Sequence, residues 1–192
     1  MQRKRLAVAA AVAAAVAAAL LTACASTPER ARAPVALAVD VDLARFMGDW
    51  HVIAAIPTVF ERSAYNPLDS YRLDADGSVV TTFSFNDGAF DGPRREYGSR
   101  GFVVAGTGNA VWGQQYVWPI RADYRIAYLA ADYSQVVVAR EKRDHVWIMA
   151  RTPTIAAADL DRLVAFVAAQ GYDTSRLRRM PQVAADARRS PS

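Results

Sequence analysis

Phe46-Met47-Gly48-Asp49-Trp50 opens the body of this chain: a glycine two residues ahead of a tryptophan, where irregular sequence gives way to strand-forming sequence. From Trp50 to Arg151, short stretches rich in Val, Ile, Thr and aromatic residues are separated by turn formers such as Asp74-Ala75-Asp76-Gly77, Asn86-Asp87-Gly88 and Asp91-Gly92-Pro93. They predict eight strands, near 50–56, 66–74, 78–85, 94–104, 109–117, 122–130, 134–141 and 145–151. Most alternate with period two. In the sixth, Tyr124, Ile126 and Tyr128 oppose Arg125, Ala127 and Leu129; in the eighth, Trp147, Met149 and Arg151 oppose Val146, Ile148 and Ala150. Both faces of the eighth strand are mainly apolar, so its outside needs a cover. The next segment supplies one: Thr154 is expected to cap a helix running to about Gln170, with Ile155, Leu160, Leu163, Val164 and Val167 as its apolar stripe and Gly171 as its stop. No repeated βα crossover pattern interrupts the strands, which favours sequential antiparallel pairing. The expected fold is all-β: an eight-stranded antiparallel up-and-down barrel with a C-terminal helix packed on its outside. Closure removes the sheet edges and leaves an interior just wide enough for side chains or one small ligand.

The ends read differently. Arg3, Lys4 and Arg5 precede an almost purely Ala, Val and Leu run from Leu6 to Leu21, the pattern of an export signal and short for a spanning helix. Leu21-Thr22-Ala23-Cys24 follows and resembles the lipobox of bacterial lipoproteins, which implies that residues 1–23 are removed and that Cys24 is acylated. Loss of that segment lowers the formal net charge from +4 to +1. A nucleic-acid role then lacks the clustered basic residues that backbone binding requires. Cys24 is the only cysteine, so the mature chain has no internal disulfide and its core must hold without one. Residues 24–39, rich in Ala, Pro, Ser and Arg, are expected to form the acylated N-terminus and a tether. The folded body is expected over 40–181 and a flexible tail over 182–192.

Gly48-Asp49-Trp50, Asp132-Tyr133 between the sixth and seventh strands, Arg151 at the end of the eighth, and Thr152-Pro153-Thr154 at the helix entry together resemble the signatures of the lipocalins. With the lipobox, the chain is most similar to the bacterial outer-membrane lipocalins and their apolipoprotein D-like relatives. The resemblance implies that Trp50 plugs the closed end of the barrel under the guanidinium of Arg151, with Gly48 relieving crowding where the N-terminal segment crosses the base. Asp132 and Tyr133 stand where the family has its third signature segment. Ala25, after the cysteine, is not the aspartate that signals inner-membrane retention in many such lipoproteins, which implies the periplasmic face of the outer membrane. His51 stands where an aromatic residue commonly follows the Trp, and is expected to face away from Trp50.

If Trp50 marks the closed end, same-face residues further along the strands line the cup: Phe83, Phe85, Tyr97, Val103, Trp112, Gln114, Tyr116, Tyr124, Ile126, Trp147 and Met149. This inventory is aromatic rather than charged, with Ser99 and Gly101 leaving room and Gln114 and the Tyr hydroxyls available to a polar head. The family implies a fatty acid or lysophospholipid as ligand; composition alone permits it. Neither His51 nor His145 has a nucleophile beside it in sequence, and two separated histidines make no metal site. No catalytic residue, metal or cofactor is therefore expected. Two other readings stay open: an enzyme acting on a lipid or isoprenoid, which would need an inward ionisable cluster, and an envelope scaffold, which would show a solid interior and an exposed apolar patch. Trp118-Pro119-Ile120-Arg121 is expected to form a packed loop near a barrel rim, with a membrane or ligand contact as the alternative.

Overall fold

A computed structural model describes residues 32–183. All eight strands form: β1 (Gly48–Ile56), β2 (Ala64–Leu73), β3 (Val79–Asp87), β4 (Arg94–Val103), β5 (Val111–Val117), β6 (Ile120–Leu129), β7 (Gln135–Ala139) and β8 (Val146–Ala150). Each pairs antiparallel with its sequence neighbour, and β8 returns to β1 to close the barrel. Up-and-down connectivity puts the β1–β2, β3–β4, β5–β6 and β7–β8 connections at one end. The other end carries the remaining connections and a single helical turn, α1 (Leu43–Phe46), ahead of β1.

The covering helix α2 spans Ala157–Ala169. Its buried Leu160, Leu163 and Val167 pack on Val146, Ile148 and Ala150, the outward face of β8. Gly171 follows with φ +84°, a conformation glycine adopts without a Cβ penalty. Thr154 does not cap this helix. Ala156 occupies the cap position with no side-chain bond, while the Thr154 carbonyl accepts from Thr152 Oγ1 at 2.7 Å. Pro153 and the Thr152 turn hold the chain extended for two residues longer than the cap signal implied.

Two boundaries move. The expected tether is part of the body from Pro34 onward: Val35 is only 3% exposed, in the cluster beneath α2, and its N–H donates to the Glu141 carboxylate at 3.3 Å. Ala38 N–H donates to the Ile126 carbonyl and Val41 N–H to that of Gly108, so the segment descends the outer wall by backbone bonds. A single buried side chain in an extended strap leaves no periodic signal. Val35→Ala is expected to cost about 1.5 kcal/mol in urea unfolding; a tether free of the body would lose nothing.

The C-terminal boundary also shifts, by two residues. A ninth strand, β9 (Arg178–Arg179), pairs with Ala54 and Ala55 where the upper halves of β1 and β2 separate. Gln182, assigned to the tail, donates to the carbonyls of Val52 at 3.0 Å and Pro67 at 2.8 Å, and Val183 N–H donates to Asn66 Oδ1. The segment wedges the barrel wall where the β1–β2 ladder has run out. Cys24, expected to be acylated, the segment expected to be an export signal and the tail beyond residue 183 lie outside the described residues.

Candidate functional site: the barrel interior

The closed end is an aromatic floor. Phe46, from α1, places its ring 5.3 Å from Trp50 and 5.4 Å from both Tyr71 and Trp112, and Trp112 stacks on Tyr124 at 4.9 Å. Trp50 is fully buried and donates its indole N–H to the Phe46 carbonyl at 2.9 Å. Arg151 lies with its guanidinium 3.8 Å above the Trp50 ring and donates to the carbonyls of Asp49, Arg45 and Phe46 at 2.9, 2.8 and 3.0 Å. One cation thus covers the indole face and closes three carbonyls of the entering chain. Gly48 has φ +92°, and a Cβ there would stand 3.4 Å from Arg151 Nη1. Backbone conformation and the Arg151 approach both favour glycine at this position.

Asp132 and Tyr133 complete the same end. The Asp132 carboxylate accepts from the N–H and hydroxyl of Ser134, which holds its pKa below the ordinary range. Tyr133, at φ +62°, accepts the Asp42 N–H on its hydroxyl and carries the Arg45 guanidinium 3.9 Å from its ring centre. The turn between β6 and β7 therefore clasps α1.

Above the floor lies a waist that is polar, contrary to the expected aromatic inventory. A cavity of about 40 Å³ is lined by Glu61, Asp69, Tyr71, Thr81, Gln114, Tyr116, Tyr124, Val138, Trp147 and Met149. One water needs on the order of 10–15 Å³ of such space, so the cavity has room for about three. The room expected beside Ser99 and Gly101 is taken by the Gln114 amide, whose Nε2 donates to Thr81 Oγ1 at 3.0 Å and Ser99 Oγ at 2.7 Å. A Cβ on Gly101 would stand 2.8 Å from Gln114 Oε1, which has no hydrogen-bond partner among the described residues.

Two carboxyls share this waist. Glu61, in the turn between β1 and β2, is 8% exposed and accepts from Trp147 Nε1 at 2.7 Å and from Thr58 N–H at 2.6 Å. Asp69 faces the cavity from β2. Burial, and secondarily the charge of Glu61, push its pKa up to about 8, against a weaker opposing hydrogen bond from Tyr71. It is therefore largely protonated at neutral pH and can donate a hydrogen bond. Burial likewise raises Tyr71 and Tyr124, whose hydroxyls lie 2.9 Å apart.

The upper wall is aromatic again: Phe83 lies 5.3 Å from Phe85, Phe85 stacks on Tyr97 at 6.1 Å, and Phe60 reaches Tyr97 at 6.0 Å from the β1–β2 connection. Of the sequence candidates, Gln114, Tyr116, Tyr124, Trp147 and Met149 line the cavity, and Phe83, Phe85 and Tyr97 form the wall above it. Val103, Trp112 and Ile126 join the packed floor and do not reach the cavity. Glu61, Asp69, Tyr71, Thr81 and Val138 were not anticipated. His145 Nδ1 stands 3.1 Å from the Ile56 carbonyl, a structural contact. Among the described residues no group of three or more His, Cys, Asp or Glu side chains could hold a metal.

A closed antiparallel barrel stoppered by a Trp–Arg pair at one end and walled by aromatics at the other defines the calyx class of small β-barrels. The family described as "Lipocalin-like domain" matches residues 41–182, and the chain belongs to it. Among curated relatives it is 26% identical over 160 residues to "Outer membrane lipoprotein Blc" of Vibrio cholerae, covering 82% of this chain and 90% of that one. It is 29% identical to the protein of the same name in Escherichia coli K12, covering 81% and 86%, and 25% identical to "Temperature-induced lipocalin-1" of Arabidopsis thaliana, covering 74% and 80%. Solved structures agree on the fold. Insecticyanin of Manduca sexta superposes with a TM-score of 0.58 at 18% identity, covering 81% of this chain and 87% of that one. Lobster apocrustacyanin A1 gives 0.57 at 16%, covering 83% of each.

Proposed function

We propose that this lipocalin is a membrane-anchored binding protein of the bacterial envelope, holding a small hydrophobic ligand of the fatty-acid or lysophospholipid type in the upper half of its calyx. The observation that carries this reading is the graded interior: an aromatic floor that seals one end, a polar waist, and an aromatic wall of Phe83, Phe85 and Tyr97 reaching the mouth. The lipobox-like Cys24 and the outer-membrane lipoproteins among its relatives support the anchor and the outer membrane as its site.

The waist refines the ligand. A free carboxylate placed there would meet Glu61, whereas protonated Asp69 offers a donor to a neutral oxygen. A glycerol ester of the lysophospholipid kind is therefore favoured over a fatty acid inserted head first. Ligand pockets occupy roughly 300–1,000 Å³, so binding requires loosely packed mouth side chains such as Phe60 and Tyr116 to swing outward; they are 66% and 61% exposed.

Tyr97 is 44% exposed, so Tyr97→Ser should spare stability while weakening lysophospholipid binding about tenfold, equal to ~1.4 kcal/mol, in a fluorescent-displacement titration. Unchanged affinity with the fold intact would remove the upper wall from the site.

A further inference from the structure

We propose that the open end of the barrel docks into the bilayer that carries the protein's own lipid anchor, with the β5–β6 hairpin tip as the inserted element. Two independent observations meet at that end. The first is where large apolar side chains are exposed. In the β1–β2 connection Val59 and Phe60 are 64% and 66% exposed; at the β5–β6 tip Val117, Trp118 and Ile120 are 67%, 81% and 71% exposed. The expected packed loop at Trp118 is thus a bare hydrophobic tip. Large apolar side chains exposed at the closed end, among the described residues, are Leu73 and Val104 at 40% and 45% and Val39 of the strap at 85%; the open end carries the larger group. Tryptophan is the side chain best suited to the bilayer interface, with an apolar ring and a polar N–H. Arg62, Arg121 and Lys142 are exposed at the same end, where they can meet lipid phosphates.

The second observation is where the chain leads. Val35 is held by Glu141 in the β7–β8 connection, and Ala36 N–H donates to Gln170 at the C-terminal end of α2, which Arg143 of that same connection grips through the Gln170 carbonyl. By Val41 and Asp42 the strap has reached the closed end, bonded to the Gly108 carbonyl and the Tyr133 hydroxyl. The chain therefore enters the body at its open end. Ten residues separate Val35 from Cys24, a reach of at most roughly 40 Å over eleven extended steps. An acyl group on Cys24 would keep that end within this distance of the bilayer. The inference rests on the anchored reading above and adds an orientation: the calyx opens toward lipid.

Trp118 supplies the test, because Trp50 and Trp112 are about 1% exposed or less and Trp147 donates to Glu61 inside the barrel. The full acylated chain is reconstituted into phosphatidylethanolamine–phosphatidylglycerol vesicles, and the Trp118 signal is taken as the difference from W118F. Quenching of more than half of that signal by brominated acyl chains, with protection from iodide, is expected. A signal quenched by iodide and indifferent to bromolipid overturns the proposal, as does one shielded from both quenchers, which would mean that a second copy covers the rim. Failure of the chain to float with the vesicles would instead refute the anchored reading itself.

Discussion

Replacing Arg151 with alanine is expected to lower stability by about 3 kcal/mol or more. The guanidinium caps the buried Trp50 indole at 3.8 Å and donates to three carbonyls of the segment that enters β1. A desolvated cation–π contact is worth about 2 kcal/mol, and each charge-assisted hydrogen bond about 1.5–3 kcal/mol; solvent screening and water replacement at the half-exposed guanidinium return part of the sum. For a body of this size the loss corresponds to a drop in Tm of roughly 6–12 °C. Arg151→Lys keeps the charge without the planar fork that reaches three carbonyls at once, so it should recover less than half. A melting transition unchanged in Arg151→Ala would remove the Trp50–Arg151 pair from the account of how the floor is held.

Asp69→Asn should have the opposite sign over much of the pH range. In the unfolded chain Asp69 titrates near its ordinary 3.8, and in the folded protein near about 8. Between those values the native state binds more protons than the unfolded one, so stability falls as pH rises from about 4 to about 8 and levels off above. Each unit of displacement is worth about 1.4 kcal/mol, so this carboxyl accounts for a loss of several kcal/mol across the window. Burial is the larger cause of the displacement, and the charge of Glu61 adds to it. Asparagine carries no charge at any pH, so Asp69→Asn should match wild type near pH 4 and exceed it by several kcal/mol at pH 8–9. Parallel stability curves for the two proteins would show that Asp69 stays ionised and solvated.

Much of the frame was legible because it rests on local rules. Period-two alternation and turn formers placed all eight strands, Gly171 marked the end of α2, and the Trp50–Arg151 pair followed from family resemblance. The polar waist was not legible, for reasons visible in β2. Asn66 takes φ +48° and the β2–β3 register shifts between Tyr65 and Leu68, so Asp69 and Tyr71 point inward while Leu68 does not. Hydrophobicity alone assigns Leu68 to the interior, and one irregularity inverts the face. Glu61 was hidden differently. It lies in a 3-10 turn between β1 and β2, outside any strand alternation, and folds back to the indole N–H of Trp147, 86 positions later. Gln114 was found as an inward residue, but its filling of the space beside Gly101 depends on three strands meeting and has no sequence signature.

The lower half of the barrel is packed and Phe85 of the upper wall is buried, while Tyr97 stays 44% exposed above a cavity lined by two carboxyls and by Gln114, whose amide oxygen has no hydrogen-bond partner among the described residues. Such groups are costly to leave dry, and a ligand or water must meet them.

The central claim, that the calyx holds a hydrophobic ligand, is tested most directly by native mass spectrometry of the protein purified from the envelope of its own cells, with the Cys24 peptide analysed separately. One equivalent of a non-covalent amphiphile, displaced by lysophospholipid more readily than by free fatty acid, is the predicted result. A protein that carries no non-covalent amphiphile and takes up neither lysophospholipid nor fatty acid on titration would contradict the account.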